Sequence, residues 1–233
     1  MKKQLTAEEK RLDTDLWLIL LVTLGAFFAY AALQGQIMAI ANNGSIPVML
    51  RLLLIAAAQF GVAGLGITIV CVMRKEKFTQ FGLVKKNTGK AIAGTIACFV
   101  PSVCCTILSG RFNGYRPFGS VMLTDEVMAS GVLTAIPGMA LIVIMWGFFE
   151  GFNYAVISEK INSRYPSKNQ WLDYGAITCA AICLLFHPIN TSFWGIVDMV
   201  TMFLAVYGML IVKKKTGNAW GCVFAFCLIW NAI

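Results

Sequence analysis

Four side chains in this chain stand where polar chemistry is expensive. Glu150, His187, Asp198 and Asn231 all lie within or at the edge of apolar runs. An ionisable group in such a run is by default a functional candidate. A carboxylate beside an imidazole can draw a proton from water, and an amide can donate to a developing oxyanion. Asn153 and Tyr154 follow Glu150 at i+3 and i+4, so a helix puts them on its face. Gly147 and Gly151 flank it as a small-x-x-x-small pair, which admits a neighbouring backbone beside the carboxylate. Pro188 disfavours helical geometry at His187, so that helix is expected to stop early. Glu150, His187 and Asn231 are the candidate catalytic set, with Asn153, Tyr154 and Asp198 accessory.

The elements that must carry these groups follow from composition. Of 233 residues, 58% are hydrophobic and 13% charged. Ordinary globular chains have about 25% charged residues, and so few charges do not cover a soluble surface. The expectation is an all-α, polytopic helical membrane protein of about seven spans. They run approximately Leu16 to Met38, Pro47 to Met73, Ala91 to Leu108, Gly131 to Ile157, Tyr174 to His187, Phe193 to Val212 and Ala219 to Ile233. The organisation expected is a cytoplasmic N-terminal segment (1–15), N-terminal helices and loops (16–130), and a core bearing the polar site (131–233).

Charge sets the orientation. Sixteen of the 19 Lys and Arg precede span one or follow spans two, four and six. Arg51, Arg111 and Arg116 are the remainder. The positive-inside rule then expects a cytoplasmic N-terminus. Arg51, near the start of its span, is expected to snorkel to the opposite interface. With its excess of +8 used in this way, the chain has no nucleic-acid face. Ala29-Tyr30-Ala31 resembles a signal-peptide cleavage site, but the charged segment before it and the apolar residues beyond it favour a retained span. The eight cysteines have no zinc-type spacing and read as packing residues.

Depth then ties the polar groups together. At the helical rise, Glu150 stands about 15 Å from the basic edge, and His187, Asp198 and Asn231 about 21–22 Å. Four consecutive helices bring polar side chains to one layer. A hydrogen-bonded network pinning the helices, a catalytic site and an ion or proton pathway all fit that convergence. No internal repeat of the transporter kind is visible.

From Gly131 onward the chain resembles the CPBP (CAAX protease and bacteriocin-processing, or Abi) intramembrane peptidases. The resemblance rests on Phe148-Phe149-Glu150, Leu184-Leu185-Phe186-His187, Lys215-Thr216-Gly217-Asn218-Ala219-Trp220 and the closing Trp230-Asn231. Phe78 to Lys86, FTQFGLVKK, is similar to the family's basic loop. Similar proteins carry E-E-x-x-x-R, F-x-x-x-H and H-x-x-x-N motifs around one membrane cavity. The resemblance implies a glutamate-activated water acting on a membrane-bound or lipidated peptide, with Glu150, His187 and Asn231 in the motif positions. Departures are several. Glu150 has no neighbouring glutamate, and Tyr154 or Ala155 holds the arginine's place. Cys183 replaces the phenylalanine, and Phe226 or Cys227 the second histidine. Asp198 has no counterpart. A zinc version would use Glu150, His187 and Asp198 as ligands and leave no base, so a metal-free site without cofactor ranks first. The implied partners are membrane lipid and a membrane-bound or prenylated peptide. The expected location is an integral membrane site, the plasma membrane if the source is bacterial. An inactive relative that binds such a peptide, or confers bacteriocin immunity, is the alternative.

Overall fold

A computed structural model describes residues 4–169, 171–187 and 189–233. Lys2, Lys3 and Pro188, used above, lie outside the described residues. Every regular element among the described residues is helical. Helix α1 is Ala7–Ala41, α2 Val48–Arg74, α3 Thr88–Leu108, α4 Thr124–Ala129, α5 Val132–Arg164, α6 Tyr174–Leu185, α7 Phe193–Thr216 and α8 Trp220–Trp230. Five of them (α1, α2, α3, α5 and α7) are long and apolar enough to cross a membrane, whereas α6 and α8 are shorter.

Local chemistry sets the ends. Thr6 and Glu9 form a capping box at the start of α1, with bonds of 3.1 and 2.7 Å, satisfying two otherwise orphaned N–H groups. The helix therefore begins inside the segment that the sequence assigns to a cytoplasmic tail. Asp173 caps α6 by accepting from the Ala176 N–H at 2.7 Å, and Ser192 caps α7 through the Gly195 N–H at 3.1 Å. Helix α7 stops at Gly217, where φ is +64°, a conformation glycine adopts without strain.

Helix α8 sits at the centre, against α3, α5 and α7. Two glycines let it in. A Cβ at Gly151 of α5 would lie 2.5 Å from the Cys222 carbonyl oxygen, and one at Gly221 of α8 would lie 2.7 Å from that of Ala91 in α3. Backbones in contact at this range exclude any side chain. Cys71, Cys179, Cys183 and Cys222 fill the surrounding core as free thiols.

Hydrogen bonds gather the basic loops at one end. Lys160 binds Asp15 at 3.0 Å and Glu76 at 2.8 Å, and Arg74 binds Asp15 at 2.7 Å. The Asn218 amide donates to the carbonyls of Val84 and Lys86 at 2.6 and 2.8 Å. Phe78 in the basic loop packs on Phe152 of α5, centroids 4.9 Å apart. At the other end, Arg51 departs from expectation. It does not snorkel: only 3% exposed, it turns inward to the carbonyls of Ala41 and Ile46, both at 2.9 Å, and to both oxygens of Glu126. The partner is a carboxylate 75 residues away, which no local pattern predicts.

Candidate functional site

A cavity of about 490 Å³ opens among α2, α3, α5, α7 and α8. Glu150, His187, Asp198 and Asn231 all line it. Three of its polar wall residues adjoin π-helical turns. Gln59 lies just before the turn Gly61–Leu65, Glu150 directly follows Val143–Phe149, and Asn231 directly follows Phe226–Trp230. A π turn inserts an extra residue per turn and re-aims the side chains next to it, a device common at functional sites.

Glu150 accepts one hydrogen bond, from Gln59 Nε2 at 3.1 Å. Among the described residues no cation pairs with it. His187 lies just beyond the end of α6. Its Nδ1 is 2.8 Å from the Cys183 carbonyl oxygen. A carbonyl only accepts, so Nδ1 carries a proton, and in the neutral ring Nε2 is then the acceptor. The ring meets Trp230 edge to face at 5.4 Å.

Asp198 and Asn231 are more firmly engaged. Arg111 Nη1 donates to Asp198 at 3.0 Å while its Nε donates to Ser109 at 2.9 Å. The bond to Asp198 raises the guanidinium above its ordinary range, so the cation persists at every accessible pH. Asn231 donates to the carbonyls of Trp146 and Phe226, at 3.2 and 2.9 Å, both within π turns. Its Oδ1 accepts from Ser120 at 3.3 Å. With both amide protons taken by carbonyls, Asn231 is a clasp between α5 and α8.

Asn153 and Tyr154 are not among the described residues lining the cavity. Tyr154 stacks on Phe226, centroids 5.5 Å apart. The reason is α8, which enters at Gly151 and closes the space one turn below Glu150.

Sequence reasoning gave no site role to Gln59, Arg111, Trp146 or Trp230, which also line the wall. Gln59 had a signal. It is a lone amide in an apolar span, fifteen residues and so about 22 Å from Arg74. Arg111 had none, being a loop residue whose partner is distant. A smaller chamber of about 250 Å³ shares Arg111, His187, Asp198 and Met202 with the main one. Among the described residues no three His, Cys, Asp or Glu side chains come together as a metal site. No protein-family model, curated protein or solved structure matches this chain.

Proposed function

We propose that this chain is a multi-pass membrane protein of seven spans with a cytoplasmic N-terminus, acting as a metal-free intramembrane endopeptidase of the CPBP kind on membrane-bound or lipidated peptides. One observation carries the reading. Glu150, held among the described residues by a neutral amide alone, and His187, with Nε2 free to accept, line one cavity large enough for water and a peptide segment.

Glu150 takes a proton from water as the water oxygen bonds to the scissile carbonyl carbon. The second hydrogen stays on the water oxygen and donates a hydrogen bond to His187 Nε2, which orients the attack. The carbonyl π pair moves to oxygen; on its return the C–N bond breaks, and the departing nitrogen takes the proton from Glu150. General-base assistance of this kind contributes about 10²–10⁴ in rate. Asn231 acts as a positioning residue by holding α8 against α5.

The test compares peptide termini in membranes from cells expressing wild type, Glu150→Gln or no chain, at matched protein levels. New termini in wild type only, falling at least about a hundredfold in Glu150→Gln, are expected. The absence of any termini dependent on Glu150 would replace catalysis with the second reading, a peptide-binding or immunity protein. The observation favouring that reading is Asn231, whose two amide protons are already taken, leaving no donor there for an oxyanion.

A further inference from the structure

Among the described residues, the carboxylates and guanidinium of the cavity wall do not balance. Two carboxylates, Glu150 and Asp198, face one guanidinium, Arg111. Arg111 and Asp198 satisfy each other at 3.0 Å. Glu150 is left with the neutral amide of Gln59, and an unpaired carboxylate removed from bulk water favours any cation that can reach it. What surrounds it defines that cation. The indoles of Trp146 and Trp230 and the ring of Phe99 share the wall. A hard metal ion asks for six or more oxygen ligands, which one free carboxylate cannot supply. Aromatic side chains and one carboxylate on the same wall instead suit an alkylammonium, whose charge is diffuse and whose methyl groups pack on rings.

We propose that this cavity binds organic ammonium cations, with Glu150 as the counter-ion and Trp146 and Trp230 as the aromatic walls. The inference is independent of the peptidase reading, because it concerns the charge and shape of the cavity and not turnover. If both hold, an ammonium ion occupies the place of the attacking water and inhibits cleavage.

The probe is choline, against its uncharged carbon isostere 3,3-dimethyl-1-butanol and against sodium chloride at equal ionic strength. Full-length protein in detergent is followed by thermal unfolding and by fluorescence of its six tryptophans. Choline is expected to raise the unfolding midpoint and shift the emission, while the isostere and sodium do neither. Glu150→Gln keeps an amide partner for Gln59 and should weaken choline binding by about tenfold or more, and Trp230→Leu by a few-fold. Replacing an ion pair that does not line the cavity, Arg116→Gln with Asp125→Asn, should leave the affinity within about threefold, since no net charge is lost. Equal responses to choline and its isostere, an undiminished response in Glu150→Gln, or no response to choline at millimolar to molar concentrations would each overturn the proposal. Because the readout is binding, its failure leaves the cleavage test untouched, and the reverse also holds.

Discussion

Two carboxylates inside this helical bundle have opposite surroundings. Asp15, 1% exposed, is held by Lys160 at 3.0 Å and Arg74 at 2.7 Å, and Lys160 is shared with Glu76 at 2.8 Å. The cluster joins α1, α2 and α5 at the basic end. Glu150 lies on the same helix as Lys160, about 15 Å away. It has one neutral partner and open space in front of it. A buried charge whose partners neutralise it is a joint, and removing one member strands the others. A charge left without a counter-charge beside a cavity holds energy that a ligand or a reacting proton can use. The difference lies in what each carboxylate touches, since both are acids in apolar helices.

That contrast can be broken by substitution. The largest effect is expected from Asp15→Ala, which leaves Lys160 and Arg74 short of a partner. About 3–5 kcal/mol of stability should be lost in denaturant unfolding of the detergent-solubilised protein. Replacing Asp15 and Lys160 together by Leu and Met should cost less than the two single changes added. Asn231→Ala comes next. It strands the carbonyls of Trp146 and Phe226 and should cost about 1–3 kcal/mol by the same measurement. Arg111→Gln breaks a pair whose guanidinium side is 47% exposed. Solvent screening limits that loss to about 0.2–1 kcal/mol, shrinking further in high salt. Glu150→Gln closes the series. Because no counter-charge faces Glu150 among the described residues and the amide contact is kept, stability should stay within about 0.5 kcal/mol of wild type or rise. A loss in Glu150→Gln as large as that in Asp15→Ala would erase the distinction between joint and site.

The gathering of four polar groups was legible because the expectation depends on one number, the helical rise. Counting residues from the basic edge set Glu150, His187, Asp198 and Asn231 at similar depth, and all four line the cavity. The glycine pair also had a readable meaning: Gly147 and Gly151 face Cys227 and Cys222 of α8. The i+4 rule did not extend to Tyr154. It places a residue on a helical face, but how far a cavity runs along that face depends on the neighbouring helix. Here α8 ends it within a turn. Asn231 was legible as a polar group at depth, but the carbonyls that take its protons were not, because they belong to π turns that the sequence does not announce.

The sequence by itself determined the all-helical class, the long apolar elements, the basic end and the identity of the deep polar groups. Each of these is local, decided by hydropathy over a window, by capping residues or by position along one helix. Which charges neutralise one another was decided by tertiary structure alone. Gln59 reaches Glu150 across 91 residues, Arg111 reaches Asp198 across 87, and Lys160 reaches Asp15 across 145. Hydrogen bonds and ion pairs act over a few ångströms, so the partner of each charge is chosen only when helices pack. Among the described residues, that packing left Glu150 without a cation and made a cavity in front of it.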